Sequence, residues 1–226
     1  MVKEAFKIKW VRVRVQEQLP YSELRDCVDR LGLPKVWLQE SERFAQVPDR
    51  LRYVAGRRLR LEYLRMYGFD LELHTAFKED ANGRPYFPEG PDFNISHSGG
   101  WIGMATHARH RVGFDVEKHR SIDPALFTRQ FSPLEMQAIL HSESEKTAFF
   151  EAWSKKESVM KADGRGMRIT LHSIALNLDG ANLDGQQWHC VAVNPMGHPG
   201  GKFIEHSASL CSEVEIEAWE SEVELW

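Results

Sequence analysis

The segment Val112–Lys118, with the sequence VGFDVEK, carries two carboxylates one residue apart. Its apolar residues fall at alternate positions, which is the period of a β-strand. In a strand, Asp115 and Glu117 project to the same face, where two like charges repel each other and are costly to desolvate. A divalent cation such as Mg²⁺ could balance them, because it prefers oxygen ligands. A solvated strand edge is the simpler alternative and stays open.

A third carboxylate lies in the segment 153–167, WSKKESVMKADGRGM. A helix over this segment places Glu157 and Lys161 one turn apart on the same face. Three carboxylates could then hold Mg²⁺, and Lys161 could bind the phosphate groups of a substrate that completes the coordination. The alternative is an ordinary surface pair, worth about 0.3–0.5 kcal/mol.

Two further basic residues, Arg84 and His97, could take part in phosphate binding, as could the flexible basic turn Gly164-Arg165-Gly166. Arg84 and His97 lie in the middle of the chain, where turns and short strands are predicted. Arg52 lies on a predicted basic amphipathic helix over residues 48–67. Each has a simpler interpretation, since a histidine between two serines is more often a turn residue and an arginine on a helix is usually solvated.

The composition argues against several classes of protein. The chain has 226 residues, 42% of them hydrophobic, and can bury a core as one domain or as two small halves. Its formal net charge of −4 disfavours binding to nucleic acid, and no apolar run approaches the roughly 20 residues of a membrane span. Three widely separated cysteines predict neither a disulfide framework nor a zinc knuckle, and they favour a cytoplasmic protein.

Helices and strands are predicted in both halves of the chain. The apolar periodicity and the caps predict helices over 22–31, 48–67, 132–140 and 146–162. Alternating segments predict strands near Phe6 and over 93–96, 101–107, 112–118, 174–178, 188–193 and 214–219. Ser132 and Glu135 are spaced as in a capping box. The pattern therefore indicates a mixed fold whose two halves divide near residues 109–111.

Five motifs occur in a fixed order along the chain: GRP (83–85), FNISHSG (93–99), VGFDVEK (112–118), FSPLE (131–135) and WSKKESVMKADGRGM (153–167). This series resembles the 4'-phosphopantetheinyl transferases of the larger, surfactin-synthetase-activating (Sfp-like) type. The resemblance covers about residues 50 to 170. The family pattern has a lysine in the turn where this chain has Arg84, and arginine and lysine do not bind phosphate in the same way.

The resemblance implies an α+β fold of two similar, pseudo-symmetric halves. Each half would be a small, mostly antiparallel sheet packed on a long helix, with the active site in the cleft between them. Residues 1–110 would form the half that binds the 3'-phosphate and adenine of coenzyme A, and residues 111–226 the half that binds Mg²⁺ and pyrophosphate. Because one chain supplies both halves, we expect a monomer.

The resemblance also implies the activity and the roles of particular residues. The phosphopantetheine arm of coenzyme A would be moved to a serine of an apo acyl or peptidyl carrier protein, with release of adenosine 3',5'-bisphosphate. The implied Mg²⁺ ligands are Asp115, Glu117 and Glu157. The implied catalytic residues are Glu157, Lys161 and Asp115. The implied contacts to coenzyme A come from Arg52, Arg84, Ser96, His97, Ser98 and Lys161.

Two other functions remain open from the residues alone. One is a Mg²⁺-dependent phosphohydrolase of a nucleotide or phosphoester, and the other is a non-catalytic module that binds coenzyme A or a carrier protein. The basic turn after Lys161 together with the SHS motif favours the transferase over a hydrolase, which does not need both. The presence of all three carboxylates and of Lys161 argues against a non-catalytic module.

Overall fold

The structure is a computed structural model of the chain, and it describes residues 6–12, 25, 26, 28, 29, 33–195, 203, 205–217 and 219–225. The predicted helix over 22–31 falls mostly outside these residues. None of the described helices combines the length and the apolar composition that a bilayer crossing requires.

The elements are numbered in chain order. The strands are β1 (Phe6–Arg12), β2 (Lys78–Glu79), β3 (Pro85–Tyr86), β4 (Asp92–Ser98), β5 (Trp101–His107), β6 (Val112–Lys118), β7 (Ala175–Asn177), β8 (Gly180–Leu183), β9 (Gln186–Ala192), β10 (His206–Ser212) and β11 (Trp219–Leu225). The α-helices with described bounds are α1 (Lys35–Ser41), α2 (Val47–Met66), α3 (Pro133–Leu140) and α4 (Glu145–Asp163). Short 3₁₀ turns cover Leu71–Thr75, Pro124–Phe127, Gly166–Arg168 and Leu171–Ser173.

The strands form two larger sheets. The first has the order β11-β1-β5-β4, in which β1 and β11 are parallel and the other neighbours are antiparallel. The second has the order β6-β10-β9-β8-β7 and is antiparallel throughout. The edge strand β4 of the first sheet faces the edge strand β6 of the second sheet. The short strands β2 and β3 pair separately.

Each sheet carries one long helix. The apolar face of α2 shares a core with β4 and β5, in which Leu59, Tyr63, Phe93 and Met104 are fully buried. Helix α4 lies directly on β6 and β10. Gly113 permits this close approach, because a Cβ atom there would lie only 1.8 Å from the carbonyl oxygen of Ser158. The backbone of α4 therefore rests on the strand that carries Asp115 and Glu117.

The prediction of a mixed α+β fold with antiparallel sheets is confirmed. The helix predicted over 48–67 is α2, and the helix predicted over 146–162 is α4. The capping box at the start of α3 is also confirmed, with Ser132 N donating to Glu135 Oε2 at 2.7 Å and Glu135 N donating to Ser132 Oγ at 3.3 Å.

The C-terminal region differs from the prediction. The strand predicted over 214–219 is wrong, since residues 213–217 are bends and coil between β10 and β11. Strand β10 has the sequence HSASLCS and is buried along its whole length. Its serines give no apolar alternation from which a strand could be predicted. Strand β11 pairs with β1 in the first sheet, so the last residues of the chain join the N-terminal sheet. The division at residue 110 stays a prediction.

Candidate functional site

The site lies between the edge strands β4 and β6, which are joined by side chains instead of backbone pairing. Four alternate side chains of β4 accept hydrogen bonds from four alternate amides of β6. The contacts are Val112 N to Asp92 Oδ2 at 2.8 Å, Phe114 N to Asn94 Oδ1 at 3.0 Å, Val116 N to Ser96 Oγ at 3.4 Å and Lys118 N to Ser98 Oγ at 2.9 Å. We call these four side chains of β4 the polar ladder.

Asp115 is at the centre of the site. Its side chain is buried, and its Oδ1 accepts hydrogen bonds from Ser96 Oγ at 2.9 Å and from Lys161 Nζ at 2.5 Å. Lys161 Nζ also lies 2.9 Å from Ser96 Oγ. Asp115, Lys161 and Ser96 therefore form a closed triangle that links β6, α4 and β4.

Glu117 follows on the same face of β6. Its Oε2 lies 3.5 Å from Ser98 Oγ and 3.8 Å from Arg120 Nη1. Burial raises the pKa of Glu117 to about 7, and the neighbouring charge of Asp115 adds to the rise. The carboxylates of the site are thus close enough to disfavour each other's ionisation.

Glu157 approaches from α4, one turn before Lys161. Burial raises its pKa, and Asp115 raises it further, while Lys161 acts in the opposite direction. Glu157 in turn raises the pKa of Glu117. The structure therefore brings the pair Asp115 and Glu117 on β6 next to the pair Glu157 and Lys161 on α4. Sequence spacing had predicted only that the members of each pair share a face.

A buried ion pair fixes the helix that presents Glu157 and Lys161. The side chain of Lys156 is 0% exposed, and its Nζ donates to Glu135 Oε2 at 2.8 Å. It also donates to the carbonyl oxygens of Ile174 at 2.7 Å and Leu171 at 3.1 Å. This ammonium lies over the ring of Phe131 as well. The pair ties α4 to α3 and to the start of β7.

Arg84 is buried, and both Nη atoms of its guanidinium meet acceptors, while its Nε has no partner among the described residues. It donates to Asp92 Oδ2 at 2.6 Å and to the carbonyl oxygens of Val112 at 3.0 Å and Phe93 at 3.2 Å. It also donates to the carbonyl oxygen of Lys161. These contacts make Arg84 a brace between β4, β6 and α4. A contact from Arg84 to the 3'-phosphate of coenzyme A stays a prediction.

Arg52 and His97 lie together on the other side of β4. Arg52 Nη1 pairs with Asp49 Oδ1 at 2.6 Å, and its Nη2 lies 3.4 Å from the carbonyl oxygen of Gly99. The Nε of Arg52 is buried and has no partner among the described residues. Partial burial lowers the pKa of His97, and the charges of Arg52 and Lys161 lower it further. The charge of Asp49 acts in the opposite direction on His97.

The carboxylates have the chemistry of a divalent cation site. Asp115 Oδ2 is buried and receives no hydrogen bond from the described residues. This orphaned oxygen, beside two further acidic side chains, fits a hard cation. Within the described part of the chain, no three histidine, cysteine or carboxylate side chains form a preassembled metal cluster.

Sequence reasoning missed the structural role of Asp92 and Asn94. The signal was present, because the segment DFNISHS places a polar residue at every second position from Asp92 to Ser98. That alternation indicates one polar face of a strand. We expected Ser96 and Ser98 to face a ligand, but the pattern could not show that a neighbouring strand edge would receive the same face.

Comparison with known proteins identifies relatives. Residues 111–196 match the family described as the 4'-phosphopantetheinyl transferase superfamily. The chain is 34% identical over 145 residues to a 4'-phosphopantetheinyl transferase of Bacillus subtilis, and 34% identical over 126 residues to 4'-phosphopantetheinyl transferase Sfp of Bacillus subtilis strain 168. It is 34% identical over 151 residues to 4'-phosphopantetheinyl transferase psf-1 of Bacillus pumilus.

These alignments cover 62%, 54% and 65% of this chain and 64%, 54% and 63% of the respective relatives. The chain thus matches less than two thirds of the length of each of the three proteins. The family match begins at Arg111, immediately before β6, and it includes Asp115, Glu117, Glu157 and Lys161. The chain is therefore similar to 4'-phosphopantetheinyl transferases over the segment that carries these four site residues.

Proposed function

We propose that the chain transfers the 4'-phosphopantetheine arm of coenzyme A to a serine hydroxyl of an apo acyl or peptidyl carrier protein and releases adenosine 3',5'-bisphosphate. One observation carries this proposal. Lys161 Nζ lies 2.5 Å from Asp115 Oδ1, in a site where Glu117 and Glu157 are close enough to influence each other's ionisation. The relatives reported above are named 4'-phosphopantetheinyl transferases, which supports the same activity.

The reaction joins the serine oxygen to the β-phosphorus of coenzyme A and breaks the bond from that phosphorus to the oxygen bridging the two phosphates. Negative charge then grows on the departing phosphate, and Lys161 neutralises it. The serine proton must be accepted as the new bond forms. Glu157 would accept it, either directly or through a metal-bound water; burial and the nearby Asp115 raise its pKa, while Lys161 lowers it.

Asp115, Glu117 and Glu157 would hold Mg²⁺, which when bound offsets the charge of the diphosphate. Arg52 and His97 would bind the 3'-phosphate end of coenzyme A. Arg52 has the buried Nε described above, which a ligand oxygen could satisfy. Ser96 and Ser98 would help to orient the acidic side chains that they already contact.

Intact-mass measurement tests the proposed activity. The full chain is incubated with coenzyme A, Mg²⁺ and a panel of apo carrier proteins from fatty-acid, polyketide and nonribosomal-peptide systems. We expect at least one carrier to gain the mass of one phosphopantetheinyl group, and a carrier with its acceptor serine replaced by alanine to gain nothing. EDTA should abolish the gain.

An unchanged carrier across the whole panel would contradict the transferase. Release of phosphate or of a nucleotide monophosphate without any carrier present would then favour a Mg²⁺-dependent phosphohydrolase. Binding of coenzyme A without turnover would favour the non-catalytic module.

We also propose that the active species is a monomer, because one chain supplies both strands that flank the site. Light scattering during size-exclusion chromatography measures this directly. A stable dimer at micromolar concentration would contradict the proposal. The cytoplasmic location predicted from the cysteines stays a prediction.

A further inference from the structure

We propose that the polar ladder is the device that positions the carboxylates of β6, and that Asn94 is a positioning residue for Asp115. This inference rests on the proposed function, because it concerns the same site. Asn94 differs from Ser96 because its described contact is to a backbone amide and not to a side chain of the site.

The ladder determines where β6 lies relative to β4. Strands that pair through their backbones lie about 4.8 Å apart. Here each amide of β6 that faces β4 meets a side-chain oxygen instead of a carbonyl oxygen, which leaves room for side chains between the strands. Asp115, Ser96 and Lys161 meet in that space. The site is therefore a gap between two sheets whose width the ladder side chains set.

Asn94 acts on the residue next to Asp115. Its Oδ1 accepts from Phe114 N at 3.0 Å, and its side chain is buried. The ring of Phe114 packs 5.1 Å from the ring of Trp10. The residue before Asp115 is thus held both by its backbone amide and by its side chain. Without the Asn94 acceptor, one buried amide loses its partner and β6 can shift relative to β4.

Arg84 reinforces the polar ladder at its Asp92 end. Asp92 Oδ2 accepts from both Val112 N and Arg84 Nη2, and Arg84 also donates to the carbonyl oxygen of Lys161. Asp92 is therefore linked both to β6 and to the helix that carries Lys161. Asn94 is the member of the ladder whose replacement disturbs β6 while leaving this brace and the side-chain contacts of Ser96 in place.

The experiment compares Asn94→Leu, which has nearly the same shape but no acceptor, with Asn94→Ser, which restores an acceptor of the type found at positions 96 and 98. Ser41→Ala is the control, because Ser41 is fully buried and donates to the carbonyl oxygen of Leu38 at 2.6 Å, in α1. Calorimetry measures coenzyme A affinity in Mg²⁺ and in EDTA. Hydrogen exchange measures protection of the 112–118 peptide.

Mg²⁺ should raise the coenzyme A affinity of Asn94→Leu about tenfold less than it raises that of the unaltered protein. The affinity in EDTA should stay within about twofold of the unaltered value. The 112–118 peptide should exchange at least about tenfold faster. Asn94→Ser should recover part of both losses. Ser41→Ala should change neither quantity, even if it lowers the unfolding temperature.

Two results would overturn the inference. One is unchanged exchange of the 112–118 peptide in Asn94→Leu. The other is an equal loss of coenzyme A affinity with and without Mg²⁺, which would indicate a general structural defect. If the unaltered protein binds no coenzyme A under either condition, the proposed function fails, and the exchange measurement alone decides whether Asn94 fixes β6.

Discussion

Helices α2 and α4 are nearly equal in length, with 20 and 19 residues, and both carry basic side chains, but these charges have different surroundings. On α2, Arg65 pairs with Glu62 and Arg57 lies 3.5 Å from Glu40, with at least one partly exposed partner in each pair. On α4, Lys156 is completely buried and pairs with Glu135, and Lys161 pairs with the buried Asp115.

This difference indicates which charged pairs contribute most to stability and to the site. An exposed pair gains little because water and salt screen it, whereas a buried pair loses most of its hydration and depends on its partner. The basic residues of α2 were more conspicuous in the sequence than those of α4. The largely buried cation of α2, Arg58, pairs with Glu62 of the same helix, whereas Lys156 and Lys161 of α4 each pair with a carboxylate on another element.

The largest effect should come from the carboxylate on α4. Glu157→Gln removes the proposed proton acceptor and should lower the rate of carrier modification about 10²- to 10⁴-fold. Glu62→Gln on α2 is the matched control and should leave the rate unchanged. Initial rates at saturating coenzyme A measure the effect, and thermal unfolding checks that both variants fold. A Glu157→Gln rate within tenfold of the original would remove Glu157 from this role.

The buried ammonium on α4 should dominate stability. Lys156→Met leaves Glu135 without its cation and should lower the free energy of unfolding by about 3–5 kcal/mol. Arg57→Met on α2 should cost less than about 1 kcal/mol. Urea denaturation measures both values. Similar losses of unfolding free energy in the two variants would show that burial of the charged side chain does not decide its contribution to stability.

The same buried pair predicts a dependence on pH. Burial raises the pKa of Glu135, but hydrogen bonds from Lys156, Leu176 N and Ser132 N outweigh it, and the net pKa is lowered. A carboxylate with a lowered pKa in the folded state contributes stability that is complete above its unfolded pKa of about 4.3. That contribution is lost as the pH falls through the folded pKa.

Unfolding measured from pH 7 to pH 3 should therefore show a smaller difference between the original chain and Glu135→Gln at the acid end. The difference should be constant above about pH 5, where Glu135 is ionised in both states. A difference that grew on acidification would mean that burial outweighs the hydrogen bonds.

The smallest predicted effect is a difference in coenzyme A affinity that distinguishes the role of Arg52 from that of Arg84. Arg52→Ala should weaken coenzyme A about tenfold more than dephospho-coenzyme A, if its guanidinium holds the 3'-phosphate. If Arg84 serves only as the brace formed with Asp92 and three carbonyl oxygens, Arg84→Ala should weaken both ligands equally. A greater loss for coenzyme A in Arg84→Ala would confirm the contact to the 3'-phosphate that the sequence predicts.

Local patterns predicted the elements that carry the chemistry. The apolar spacing gave the position of α2 and α4 to within a residue or two, and alternation identified β6. The capping pattern of Ser132 and Glu135 was also sufficient, because a cap depends on neighbours three residues apart. Strand β10 escaped prediction because its burial comes from α4 and from β6, neither of which is adjacent in sequence.

The sequence by itself determined which residues could do chemistry and which of them share a face, since the periods of strands and helices are local properties of the backbone. Only the tertiary structure decided that Lys161 contacts Asp115, that Arg84 is enclosed, and that β4 meets β6 through side chains. These contacts join residues 8 to 77 positions apart. They depend on how two sheets and two helices pack, and no local period encodes that arrangement.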